Sequence, residues 1–237
     1  VHPIFRPVEQ MGWRGLYPRA DYHVQDPQSP VEIHWTAFSP VIPYDIDAST
    51  MPVVIFYVDL RNTTDQVVDV SVVLNWENLS GCTRDVAPVE RGETRLVLAP
   101  PPEQTAEEQK KMPVQLPPIG AEFGIFSGWK ENAQGNYCIL MPFEKDIPIT
   151  VTSWDETKPE DVREFWEQFR YMGMLNNRVN SSPKEHSVAV CSSLPLPGDT
   201  SRRIVFAFAW YCPRFVVDGV DQGNQYAAVF KDAREVA

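Results

Sequence analysis

Proline constrains this chain more than any other feature. Twenty-two of its 237 residues are proline, about twice the roughly 5% of average usage. The ring fixes φ and removes a backbone donor, so proline interrupts helices and central strands but suits turns and sheet edges. Here the prolines punctuate short runs of β-branched and aromatic residues, such as Met51 to Leu60 and Val67 to Trp76. Glycine is ordinary, at 12 residues, so the chain is not a flexible linker. Short extended runs between turns predict an all-β chain, a large antiparallel β-sandwich with one notable helix, forming a single domain over residues 1–237.

Within that frame, Val31, Ile33 and Trp35 alternate with polar neighbours and read as a strand. The runs 51–60 and 67–76, joined by Arg61-Asn62-Thr63-Thr64-Asp65, predict a β-hairpin with a loop of about five residues. Further strands are predicted over 94–98, 122–129, 137–142, 147–154, 187–194 and 203–211, with Pro197-Gly198-Asp199 turning between the last two. In 203–211, Ile204, Phe206 and Phe208 share one face and Val205, Ala207 and Ala209 the other. Both faces are apolar, so this strand is predicted to be central and covered on both sides. Residues 99–118, rich in Pro, Glu, Gln and Lys, read as a solvated excursion. The predicted helix runs from Lys158 to about Met174. Thr157 and Glu160 fit a capping box, and Pro159 falls in the first turn. Val162, Phe165, Trp166 and Phe169 form the apolar stripe that would face a sheet.

Charge and motif content exclude more than they suggest. A formal net charge of −11 argues against unaided binding to nucleic-acid phosphate or anionic membrane. No run approaches the roughly 18 apolar residues of a membrane span. His2, Pro3, Arg6 and Glu9 break up any apolar leader core, which leads us to expect a cytoplasmic protein. Cys82, Cys138, Cys191 and Cys212 form no Cys-x-x-Cys pair, so no structural metal is expected. They read as reduced thiols, the alternative being one disulfide in an exported protein. Nucleotide-binding, nucleophile-elbow and zinc-protease signatures are missing, and no cofactor is expected. Asp45, Asp47, Glu77 and Asp155 are carboxylates near aromatics, as a glycosidase pair would be, but turn-capping is the commoner use of such residues. Trp35, Trp76 and Trp210 lie in strand patterns and read as core. Trp13 and Trp129 are freer to stack on a sugar.

One block is more specific. Thr36-Ala37-Phe38-Ser39-Pro40-Val41-Ile42-Pro43 is followed by Ser49-Thr50-Met51-Pro52 and then by Trp76-Glu77-Asn78-Leu79-Ser80-Gly81. In that order these resemble the N-terminal domain of glycoside hydrolase family 116, which includes non-lysosomal glucosylceramidases and bacterial β-glucosidases. Tyr17-Pro18-Arg19-Ala20-Asp21-Tyr22, Gly173-Met174-Leu175 and Phe208-Ala209-Trp210 extend the likeness, while Tyr44 and the excursion at 99–118 depart from it. The resemblance implies a parent whose catalytic (α/α)6 barrel follows residue 237 and hydrolyses β-glucosides or glucosylceramide with retention. It therefore implies no catalytic residue in this chain. The expected role is a non-catalytic scaffold and interface, with an autonomous carbohydrate-binding module as the alternative. An enzyme with an unrecognised site is a third reading. The interface candidates are Pro43, Tyr44, Asp45 and Asp47 in the loop 39–50, and Tyr211, Tyr226 and Phe230 in the tail, with the catalytic domain as partner.

Overall fold

The computed structural model describes residues 7–78, 93–98, 118–125, 135–144, 147–179 and 187–237. The excursion at 99–117, Cys82, Trp129, His2 and His186 lie outside these. The strands are β1 (Gln10–Leu16), β2 (Arg19–Gln25), β3 (Val31–Phe38), β4 (Val53–Asn62), β5 (Val68–Glu77), β6 (Glu93–Leu98), β7 (Pro118–Ile125), β8 (Gly135–Pro142), β9 (Ile149–Trp154), β10 (Ser187–Leu196), β11 (Ser201–Tyr211), β12 (Val216–Val217) and β13 (Val220–Asp221). Helices α1 (Ile46–Ser49), α2 (Pro159–Met172) and α3 (Ala233–Val236) are interspersed.

Two antiparallel sheets face each other. The large one runs β1-β2-β3-β4-β11-β8-β7-β6 and the small one β5-β10-β9. Strand register sets the inner face of the large sheet, because paired residues project to the same side. Ile33 pairs with Leu60, Trp35 with Val58, Phe206 with Phe56 and Phe208 with Ile139. These residues meet Val188, Val190, Leu194 and Leu196 of β10 in the main core. Trp35, Trp76 and Trp210 pack on it as expected, with Trp76 stacked on Phe208 at 4.0 Å between ring centres.

Each sheet also buries apolar groups on its outer side. The predicted two-sided strand, β11, is fifth of eight. Its Ala209 joins Val53, Cys138 and Leu140 in a second cluster, closed by Ala233 and Val236 of α3. On the small sheet, α2 presents Phe165 to Trp154, Ala189 and Cys191, with Val162, Trp166 and Phe169 beside it. The Trp154 and Phe165 rings lie 4.7 Å apart and nearly parallel, at 7°.

The predicted hairpin between 51–60 and 67–76 is not formed. β4 belongs to the large sheet and β5 to the small one, so the segment between them is an arch from one layer to the other. Residues 197–200 likewise carry the chain from β10 back to β11 as a second arch. Asn62 is the physical reason. Its side chain is fully buried. Its amide donates to the carbonyls of Gln66 (2.7 Å), Leu196 (2.9 Å) and Pro197 (3.2 Å), tying the two arches together. Its carbonyl accepts from the Thr64 N–H and hydroxyl, at 3.0 and 2.8 Å. The arches also exchange backbone bonds, Asn62 N–H to Thr200 O and Asp199 N–H to Thr64 O, both 2.9 Å. Gly198 sits where they cross; a Cβ there would lie 2.5 Å from the Asp65 carbonyl, which no side chain tolerates.

The capping box at the start of α2 is also replaced. Lys158 occupies the cap position without a side-chain bond, and Pro159 takes the first turn as expected. Thr157 instead turns back, its hydroxyl donating to Asp155 at 2.5 Å and its N–H at 3.0 Å. The helix ends at Gly173, whose φ of 64° is the left-handed conformation glycine adopts without strain.

Candidate functional site

The loop between β3 and β4 is largely exposed and rigidly built. It begins beside the tip of the β1–β2 hairpin, where the Ser39 N–H donates to Pro18 O at 3.2 Å. Ile42 to Asp45 then turn tightly, closed by Asp45 N–H to Ile42 O at 3.0 Å. The Ser49 hydroxyl clasps the Ile42 backbone, accepting from its N–H and donating to its carbonyl, both at 2.9 Å. Asp45 caps α1 by accepting from the Ala48 N–H at 2.9 Å.

At the apex, Tyr44 has φ 69° and its side chain lies wholly in solvent. A bulky residue held there costs about 1 kcal/mol or more. Val41, Ile42 and Ile46 are exposed around it. Four apolar side chains are thus held out by a loop that Ser49 and Asp45 close on itself.

The tail lies at the same end. After β11, Cys212 O accepts from Tyr226 Oη (2.8 Å) and Asn224 Nδ2 (2.6 Å), folding the chain back on itself. β12 and β13 form a small hairpin over Asp218-Gly219, both at positive φ. Asp221 steadies its base, accepting from the Gly223 and Phe215 N–H groups and pairing with Arg214 at 2.8 Å. These bonds hold its carboxyl below the usual range. Phe215, Val217 and Val220 of this hairpin are exposed.

Asp232 then caps α3, accepting from Glu235 N–H, while the Glu235 side chain accepts from Lys231 N–H, both at 2.8 Å. The Ala233 N–H donates to Asn136 Oδ1 at 2.8 Å, fastening α3 to β8. Gln225 Nε2 reaches Asp47 Oδ1 at 3.4 Å, joining tail and loop.

The seven candidates therefore fall into two groups. Pro43, Tyr44, Asp45 and Asp47 stand on the exposed loop. Tyr211, the last residue of β11, is 9% exposed, while Tyr226 and Phe230 of the tail are half-buried; all three lie in the cluster that joins the tail to the large sheet. They hold the tail down rather than project from it. Ile42 and Ile46 in the same loop, and Phe215 and Val220 in the tail, are the exposed apolar side chains not singled out from the sequence. Asp218-Gly219, between Val216-Val217 and Val220, is the local hairpin signal that places Phe215 and Val220 at this turn.

The four carboxylates weighed as catalytic groups differ in environment. Asp45 is spent on its cap, and Asp47 accepts from Gln225. Glu77 ends β5 on the solvent side. Asp155 is buried. Burial pushes its carboxyl up, but the Thr157 hydroxyl and N–H and the Lys158 ammonium, 3.2 Å away, outweigh this and leave it below the usual range. A lowered carboxyl stabilises the fold above its unfolded pKa, about 3.9, and that stabilisation fades as pH falls through the folded value. Asp155→Asn is therefore expected to cost about 1 kcal/mol at pH 7, with the gap to wild type closing below about pH 4. Urea melts across that range measure it, and a gap independent of pH would contradict it.

Among the described residues, no group of three or more His, Cys, Asp and Glu side chains is placed to hold a metal ion, and no helix is long and apolar enough to cross a membrane.

Comparison with solved structures gives low likeness. A putative kojibiose phosphorylase from human microbiome matches at TM-score 0.41 and 11% identity, over 92% of this chain and 19% of its own. Heparan sulfate lyase HepC from Pedobacter heparinus matches at TM-score 0.37 and 8% identity, over 86% of this chain and 22% of its own. The chain thus spans about a fifth of either protein's length. The sequence itself matches, over residues 6–237, the family described as beta-glucosidase 2, glycosyl-hydrolase family 116 N-term. With nearly every residue inside that match, and an antiparallel sandwich as its fold, the chain belongs to the glycosyl-hydrolase family 116 N-terminal domain family.

Proposed function

We propose that this chain is the non-catalytic scaffold and interface domain of a β-glucosidase or glucosylceramidase, docked through its 39–52 loop on the catalytic (α/α)6 domain of the same polypeptide. The observation that carries this reading is the position of the loop beside the tail. Met51 and Val53, on which the loop closes, pack in one cluster with Ala233 and Val236. Any chain continuing from Ala237 therefore starts from the cluster on which the loop closes. A rigid loop with exposed apolar side chains suits a neighbouring domain better than it suits water. The substrate would be a β-glucoside or glucosylceramide, handled by the partner domain. The buried unpaired thiols of Cys138 and Cys191 support a reducing compartment, and a cytoplasmic location is part of the proposal.

The test uses both this chain and a longer protein that includes the following domain. The 237-residue chain is expected to leave an aryl β-glucoside intact. In the longer protein, Tyr44→Ala is expected to lower domain–domain stability by about 1–2 kcal/mol, the range of an aromatic anchor. That would appear as a lower Tm or a raised KM, while the isolated chain melts as before. Turnover by the isolated chain, abolished by changing one of its carboxylates, would overturn the scaffold reading. Unchanged Tm and kinetics in the longer protein would remove the loop from the interface.

One observation favours the carbohydrate-binding module. The Trp13 indole lies over Gly15, where a Cβ would come within 2.3 Å of the ring, and its side chain is 69% exposed beside Tyr17. Binding of a soluble glucan by the isolated chain, lost in Trp13→Ala, would favour that reading instead.

A further inference from the structure

The small sheet does not cover all of the large one. It ends at β5, and beyond that edge a cavity of about 250 Å³ opens between the layers. Trp35, Phe56 and Phe206 form its floor, Val72 and Leu74 its roof, and Met11, 57% exposed, stands at the rim. Every residue lining it is apolar. Trp35 is held in place by Phe56, stacked at 6.3 Å, and by Tyr22 at 4.6 Å, so the floor is fixed before anything enters.

The chemistry of this slot selects its occupant. With no polar side chain in the wall, a sugar or a peptide would lose hydrogen bonds to water and regain none. Two sheet faces about 10 Å apart leave room for little more than one layer of groups, which suits a linear shape. At roughly 30 Å³ per group, the share one water takes of the liquid, the volume accommodates about eight methylenes. One side opens to solvent at Met11, so a polar head need not be buried.

We propose that the seam between β5 and the inner face of β1 to β4 binds the straight alkyl chain of a single-tailed amphiphile, tail inward and head at the rim. This site is separate from the loop and tail of the proposed interface, and it stands whether or not that interface exists.

The 237-residue chain tests it, with N-phenyl-1-naphthylamine as fluorescent probe and 1-hexanol, 1-octanol, 1-decanol and 1-dodecanol as competitors. The probe is expected to saturate at one site per chain. Displacement is expected to strengthen roughly fourfold per added methylene, the factor for burying one CH₂, and to level off near eight to ten carbons, when the slot is full. Val72→Trp, which fills the roof, is expected to weaken probe and decanol at least tenfold. Should that variant not fold, the length series decides alone, because a surface patch gives no plateau. Absence of saturable binding, a series that rises without levelling, or a folded Val72→Trp that binds like wild type would each overturn the proposal.

Discussion

Asn62→Ala is expected to destabilise the chain by about 3 kcal/mol, among the larger losses a single polar side chain can cause. Three carbonyls, of Gln66, Leu196 and Pro197, lose their donor together, and the Thr64 N–H and hydroxyl lose their acceptor. The site is fully buried, so water does not readily replace the lost bonds. For a chain of this size the loss corresponds to a fall in Tm of roughly 6–12 °C. Asn62→Asp, nearly identical in shape, is expected to be no better. A carboxylate has no N–H to offer and would face three carbonyl oxygens in a buried corner. Thermal melts of both variants check this. A Tm within about 1 °C of wild type for either one would show that the arches are held by something other than this amide.

Ala233→Glu is expected to release the tail while leaving the sandwich folded. Ala233 is fully buried against β8 and β11, in the cluster that covers Cys138. A carboxylate there is buried without a partner, a cost of several kcal/mol that undocking the tail avoids. The cysteines report the change. Cys138 and Cys191 are both fully buried, and burial pushes both thiols up, Cys191 to about 12. In the native chain both are expected to resist iodoacetamide, since the thiolate is the reactive form. In Ala233→Glu, Cys138 becomes reactive, and Cys191, sealed beneath α2 on the other sheet, stays protected as an internal control. Peptide mapping after alkylation separates the two. Equal protection of Cys138 in variant and wild type would mean that the tail is not its cover.

Where a local pattern met no competing partner, the sequence determined the outcome. Period-two alternation of β-branched and aromatic residues marked strands because a pleated chain sends neighbours to opposite faces. The Val162, Phe165, Trp166, Phe169 stripe marked the buried side of α2 for the same kind of reason, at a period of 3.6. Apolar residues on both faces of β11 announced a strand covered twice, and the motifs from Thr36 to Gly81 announced the family.

What only the tertiary structure decided is which elements meet. A polar turn between two apolar runs looks alike whether the chain pairs with itself or crosses to another sheet. Asn62 settles the matter by being buried against Leu196 and Pro197, more than 130 residues away in sequence. Thr157 fitted a helix cap, but Asp155 competes for the same hydroxyl and, being buried beside Lys158, wins it. Tyr211, Tyr226 and Phe230 had the composition of an interface, and their own sheet covers them first. Tyr44, with the same composition, stays in water because its loop is closed on itself by Ser49 and Asp45. Side-chain chemistry is written residue by residue, whereas burial is a property of the partners that folding brings together.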